Sequence, residues 1–183
     1  EIFSERVRKI IAPDKISGDR YIEIMETAHV NNIPTNCTML YGHVETIEER
    51  IDHILKIREL QDRTGGVKCF VPLSFHSKNT EFRNIRETTA FDDLKTYAVS
   101  RILLDNVDHI KGLWMYMGIP LAQISLNFGV DDLGGTSLDE KIVHAAGAET
   151  PDKCESEKLS EIIREAGFIP FLSNSSYTWE SKC

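Results

Sequence analysis

The sequence predicts an α/β protein: the C-terminal half of a TIM-type (β/α) barrel over residues 1–135, then a helical extension and tail over 136–183. Two observations lead there. Apolar strand-like runs alternate with amphipathic helical runs, the pattern of a parallel sheet covered by helices. About four strands are legible, whereas a closed barrel has eight strands and typically about 250 residues. Three apolar runs also end in polar turns, at 38–45, 75–80 and 128–135. Barrels hold their ligands at such strand ends, so three in succession point to one shared site.

The elements follow in order. Ser4 caps a short helix carrying Val7, Ile10 and Ile11 and closed by Pro13. Ser17 caps a second, with Ile22, Met25 and Ala28 on one face. Residues 33–41 form a strand. Thr46 and Glu49 make a capping box, and Ile47, Ile51, Ile54 and Leu55 have the spacing of a buried helical stripe. Gly65-Gly66 ends that helix, and 67–75 is the next strand. Phe91, Leu94, Ala98 and Ile102 line a helix from near Thr89 to near Asn106. Residues 110–117 read as a strand, Pro120 opens a short helix, and 124–128 lead to the third polar turn. Ser137 and Glu140 form another capping box for a helix reaching Gly147. Leu159, Ile162, Ile163 and Ala166 mark a last helix closed by Gly167, and the tail from Ser173 is weakly patterned.

Composition narrows the function classes. Hydrophobic content of 41% and charged content of 27% fit a globular protein with a real core. The net charge of −8 supplies no basic field for nucleic acid or an anionic membrane. No apolar run approaches the roughly 18 residues of a membrane span. Cys37, Cys69, Cys154 and Cys183 are widely spaced, which predicts reduced thiols in the cytoplasm rather than a disulfide framework. The chain opens on Glu1-Ile2-Phe3 inside a helical pattern, so an upstream N-terminal part is expected.

Several residues are placed for chemistry. Alternation along residues 36–41 sets Asn36, Thr38 and Leu40 against Cys37, Met39 and Tyr41. The first set suits a barrel lumen, or is a strand end with satisfied polar groups. Glu45 either holds a ligand hydroxyl or favours the first turn of its helix through the macrodipole. His76 and Asn79 can orient a polar substrate, or belong to a solvated turn. Asp131 and Asp132 can form an acid/base or metal pair, but neighbours on extended backbone face opposite ways, so one at most points into a site. Lys111 inside an apolar run reads as a Schiff-base lysine or, more commonly, as a salt-bridged one. Trp114 and Tyr116 suit core or lumen walls, and His29, His53, His109 and His144 structural positions. No set of metal ligands is assigned, and the P-loop, GxGxxG, GxSxG, HExxH and CxxC patterns are absent.

Five blocks in order carry a resemblance: TMLYGHVE (38–45), RELQDRTGG (58–66), PLSFHSKNT (72–80), LDN (104–106) with HIK (109–111), and FGVDDLGGT (128–136). Together they resemble the C-terminal half of radical S-adenosylmethionine enzymes of the menaquinone and deazaflavin group, most nearly the aminodeoxyfutalosine synthases of the futalosine pathway. The first block is similar to the GxIxGxxE element of those barrels, with Thr38 in the first Gly position. The resemblance nominates Thr38, Leu40, Gly42 and Glu45 as cofactor-binding, and His76, Asn79 and Asp131 stand as the substrate-side, catalytic candidates. It implies S-adenosylmethionine and a [4Fe–4S] cluster as cofactors, with an external electron donor. It further implies addition of a 5′-deoxyadenosyl radical to 3-[(1-carboxyvinyl)oxy]benzoate, giving aminodeoxyfutalosine. The cluster's CxxxCxxC triad is not among the four cysteines, so its ligands are expected upstream and these residues alone are expected to be inactive. A cyclic dehypoxanthinyl futalosine synthase or a deazaflavin-forming synthase would share most blocks. A non-catalytic half-barrel binding module is the reading from another class.

Overall fold

A computed structural model describes residues 1–136, 141–151 and 153–178 of the chain. Helices α1 (Glu5–Ile11) and α2 (Gly18–Val30) lead into β1 (Thr35–Tyr41). Ser17 caps α2 by accepting from Arg20 N–H, but Ser4 leaves α1 uncapped and donates instead to Glu49 Oε1 at 2.6 Å. Helix α3 (Ile47–Thr64) and β2 (Val67–Ser74) follow, then α4 (Ala90–Leu103) and β3 (His109–Ile110). The three strands are parallel in the order β1-β2-β3.

Both long crossover helices are capped as their sequences require. Thr46 and Glu49 close a reciprocal capping box on α3, and Gly65 ends it in the left-handed region at φ 63°. Thr89 and Asp92 do the same for α4. The buried faces depart from the apolar stripes. On α3 Ile54 is buried as expected and Ile51 half-buried, but Ile47 and Leu55 are exposed, and His53, Ile57 and Leu60 are buried with Ile54. The N-terminal Ile2 and Phe3, both buried, pack in beside the sheet, and Phe3 stacks on His53 at 3.9 Å between ring centres. Likewise α4 exposes Phe91 and Ile102 and buries Asp93, Thr96, Tyr97 and Ser100. Partners make a polar face buriable: Tyr41 Oη donates to Asp93 at 2.8 Å, and Tyr97 Oη to the Pro72 carbonyl at 3.3 Å.

The sheet is shorter than its apolar runs. After β3 an isolated parallel bridge, Lys111 to Asp132, extends it, and residues 114–117 form a helix, α5 (Trp114–Met117). The expected strand at 110–117 is corrected accordingly: an apolar run of this length is ambiguous between strand and buried helix. Here Trp114, fully buried, donates its indole N–H to the Gly135 carbonyl. Residues 124–128 are likewise the end of α6 (Ile119–Ser125) and a 3-10 turn (Leu126–Phe128), not a strand. Three strands are therefore present among the described residues. The closed curvature of a barrel is not displayed by so few.

Helices α7 (Ile142–Ala145) and α8 (Ser156–Glu165) complete the order. Leu159 and Ile162 of α8 join the same buried cluster as Tyr41, Phe70 and Trp114. The Ser137 and Glu140 capping box lies outside the described residues. Cys37, Cys69 and Cys154 are buried free thiols; Cys183 also lies outside.

Register assigns the two sheet faces. Cys37, Met39 and Tyr41 are buried, while Asn36 and Thr38 between them are exposed. Asn36 pairs with Cys69 and Cys69 with His109; Thr38 pairs with Val71. The open face thus carries Asn36, Thr38 and Leu40 on its first strand, as the alternation predicts.

Candidate functional site

The ends of β1 and β2 are fastened to one another. Phe75 N–H donates to the Tyr41 carbonyl at 2.8 Å, extending the ladder one residue beyond β2. The chain then turns at Gly42, whose φ of 87° lies in the region that favours glycine. A Cβ there would also meet Thr88 Cγ2 at 2.3 Å. Two constraints therefore demand glycine at this point.

Glu45 folds back into that turn. Its Oε1 accepts from Gly42 N–H at 2.6 Å and its Oε2 from His43 N–H at 2.9 Å. Arg50 of α3 donates to Oε1 at 2.6 Å. The carboxylate is only 1% exposed. Burial alone would raise its pKa, but the neighbouring His43 ring and the two N–H groups hold it down at about 2. His43, itself buried, places Nε2 2.9 Å from the Leu40 carbonyl and Nδ1 2.8 Å from Val44 N. Glu45 therefore spends its hydrogen-bonding capacity on shaping the turn. Thr38, exposed on the open face, and Leu40, half-buried above it, are the side chains β1 presents outward.

The second polar turn docks on α5 and on the end of α7. His76 Nε2 lies 3.1 Å from the Tyr116 carbonyl. Asn79 reaches the 141–147 segment twice, through its side-chain amide to the Ala145 carbonyl and its backbone N–H to that of Ala146, both at 3.1 Å. Ser77, buried, is held by Glu87. His76 and Asn79 thus sit at the same end of the sheet as Gly42 and Glu45.

Asp131 is placed elsewhere. Its N–H donates to the Ile110 carbonyl at 3.1 Å, and Ile110 pairs with Phe70, four residues before the end of β2 at Ser74. At ~3.3 Å per residue that is roughly 13 Å down the strands. Its carboxylate accepts from Ile110 N–H at 2.7 Å and from Arg101 at 3.1 Å, and meets His109 Nδ1 at 2.6 Å. Asp132 faces the other way, pairing with Lys111 at 3.0 Å. The opposed aspartates follow from extended backbone, and each carboxylate is held by partners from neighbouring elements.

No group of three or more His, Cys, Asp and Glu side chains that could hold a metal exists among the described residues. Burial pushes the Cys37 and Cys69 thiols up to about 11, which disfavours thiolates. These cysteines do not fit an iron–sulfur cluster, which needs converging thiolates. Among the described residues no helix is long and apolar enough to cross a membrane. Sequence reasoning missed Arg50 and Thr88. His43 lay inside the quoted block without a role; Arg50 carries no local signal, because its partners Glu45 and Thr96 belong to different elements.

Comparison with known proteins places this geometry. Residues 64–183 match the family described as the CofH/MqnC C-terminal region. The aminodeoxyfutalosine synthase of Thermus thermophilus is 48% identical over 97% of this chain and 49% of its own length. The 5-amino-6-(D-ribitylamino)uracil–L-tyrosine 4-hydroxyphenyl transferase 1 of Methanosarcina barkeri is 49% identical over 93% of this chain and 47% of its own. The cyclic dehypoxanthine futalosine synthase of Streptomyces coelicolor is 42% identical over 97% of this chain and 44% of its own. The chain spans about half the length of these curated relatives. On the family match and these identities together, it belongs to the CofH/MqnC C-terminal family.

Proposed function

We propose that the chain serves, within a full-length protein, as the C-terminal half of a radical S-adenosylmethionine barrel that makes aminodeoxyfutalosine. Residues 1–135 supply the barrel half and 136–183 the extension. The observation that carries the reading is the 48% identity to an aminodeoxyfutalosine synthase across 97% of this chain. The open polar face of β1 and the closed turn beside it support it. S-adenosylmethionine, when bound, supplies the deoxyadenosyl group that is transferred. Thr38 and Leu40 offer side chains toward it, Gly42 lets its backbone pass close, and Glu45 keeps the turn in shape. His76 and Asn79 orient 3-[(1-carboxyvinyl)oxy]benzoate from the facing loop, through ring and amide edges turned from their backbone partners on substrate entry. Asp131 contributes by anchoring the strand rather than by touching substrate. The described cysteines do not fit the [4Fe–4S] cluster, and its thiolates are expected from an upstream part of the full-length protein. An external donor supplies the electron, and the setting is cytoplasmic, without nucleic acid or membrane.

The 49% identity to a hydroxyphenyl transferase supports a second reading, a deazaflavin-forming enzyme acting on tyrosine and a ribitylaminouracil. Full-length protein, reconstituted anaerobically with reductant and S-adenosylmethionine, separates the two. Formation of aminodeoxyfutalosine from the enol-ether benzoate is expected. Product from tyrosine and the uracil alone favours the second reading, and turnover of neither leaves a binding module.

A further inference from the structure

We infer that Arg50 is the positioning residue of this site, holding the cofactor-side turn after β1 in register with the substrate-side loop after β2. Its guanidinium joins three elements. One terminal nitrogen donates to Glu45 Oε1 at 2.6 Å, closing the carboxylate over the Gly42 and His43 N–H groups. The other donates to Thr96 Oγ1 of α4 at 2.8 Å. The plane lies over the Tyr41 ring, 4.8 Å from its centre, and that ring's hydroxyl is bonded to Asp93 one helical turn before Thr96. Helix α4 begins where the substrate-side loop ends, and Thr88 at that boundary is the residue that fills the space over Gly42.

These contacts are redundant for folding: β1 and β2 are already joined along seven register pairs, and α3 and α4 each carry a capping box. The arginine is also an expensive way to add packing. Its Nε is buried with no hydrogen-bond partner, an unmet demand that is uncommon in a structural contact. A planar fork with two separately directed donors is what fixes one loop against another; a lysine offers a point charge without the second direction. Arg50 meets the same carboxylate oxygen that accepts from Gly42 N–H, so its position is tied to that of the turn.

The cofactor arm of the test rests on the proposed function; the backbone arm does not. Arg50→Gln, Arg50→Lys and Thr96→Val are made in the full-length protein. Amide exchange is followed in the peptide spanning residues 38–46, alongside KM for S-adenosylmethionine and kcat. A charge-assisted hydrogen bond converts to about tenfold or more in an equilibrium. Arg50→Gln is therefore expected to speed exchange at Gly42 and His43 about tenfold while β2 is unchanged, and to raise KM about tenfold with kcat nearly constant. Arg50→Lys should restore part of both effects, and Thr96→Val should show a smaller version of each. Unchanged exchange at Gly42 and His43, or uniform acceleration across β2, overturns the inference. So does a fall in kcat with KM unmoved. If Arg50→Gln does not fold, Thr96→Val decides by the same criteria. Wild-type protein that binds no S-adenosylmethionine would sink the proposed function, while the exchange result still judges Arg50.

Discussion

The Tyr177 phenol donates a 2.7 Å hydrogen bond to Asp132, tying the C-terminal tail to the open face of the sheet. Its ring stacks on His109 at 3.8 Å, and Lys68 donates to the Ser175 carbonyl two residues earlier. Asp132 has two other partners, Lys111 at 3.0 Å and Gly134 N–H at 2.7 Å. Tyr177→Phe keeps the stack and leaves Asp132 partnered, so it is expected to cost about 1 kcal/mol. Tyr177→Ala loses the stack as well and is expected to cost about twice that. Urea midpoints compare them, and equal effects of the two would show that the ring contributes nothing.

Tyr41 and Asp93 form the buried counterpart across β1 and α4. Burial raises the Asp93 carboxyl above its ordinary value, and the Tyr41 hydrogen bond opposes that rise. Tyr41→Phe removes the larger of two opposing bonds and leaves the buried carboxyl with Thr88 alone, at a cost of about 1–3 kcal/mol. A raised carboxyl makes the folded state hold its proton longer than the unfolded state, so this group erodes stability as pH rises from about 3.8. The penalty of Tyr41→Phe should therefore grow from pH 4 to pH 7. A pH-independent penalty would mean that the lost bond does not reach the carboxylate's ionisation.

His53 has the opposite sign. It is fully buried, and desolvation holds its pKa well below the ordinary value. Neither ring nitrogen has a hydrogen-bond partner. The unfolded chain binds the proton that the folded chain refuses, so stability falls as pH drops below about 6.5, by up to ~1.4 kcal/mol per unit. His53→Phe keeps a ring of similar shape against Phe3 and removes both unmet groups. It is expected to be neutral or stabilising at pH 7 and to flatten the slope between pH 6.5 and 5 in thermal melts. A retained slope would assign the acid sensitivity to another group.

Gly42 tests the turn directly. Gly42→Ala adds a Cβ at φ 87° and drives it into the Thr88 methyl. The conformation alone costs roughly 1–2 kcal/mol, and the clash adds to it. Thr88→Ser deletes the methyl and keeps the hydroxyl, so the double variant should recover the clash and retain the conformational cost. A double-mutant cycle with no coupling would place the methyl away from the turn.

Local chemistry was legible in the sequence wherever a few adjacent residues decide it. Thr46 with Glu49, Thr89 opening its helix, Gly65 ending one, and the outward face of Asn36 and Thr38 all follow from short-range spacing. The five separated blocks led to the right family because each is local and their order is read directly along the chain. What the sequence hid depends on partners from distant elements. Ile47 and Leu55 of α3 and Phe91 and Ile102 of α4 were misplaced because polar His53, Asp93 and Thr96 are buried by contacts made across the fold. Residues 114–117 became helix because Trp114 bonds Gly135 and the ladder stops at Lys111.

The sequence by itself therefore determined the α/β alternation, the caps other than that of Ser4 and the outward face of β1, set by short-range spacing, and the family, carried by five blocks in order. Only the tertiary structure decided that Glu45 is consumed by its own turn, that Arg50 bolts that turn to α4, and that Asp131 lies midway along the strands, level with Phe70. The last two rest on hydrogen bonds and ion pairs between groups far apart along the chain, and the first on the geometry of a tight turn; in each case the bond directions exist only once the backbone has folded.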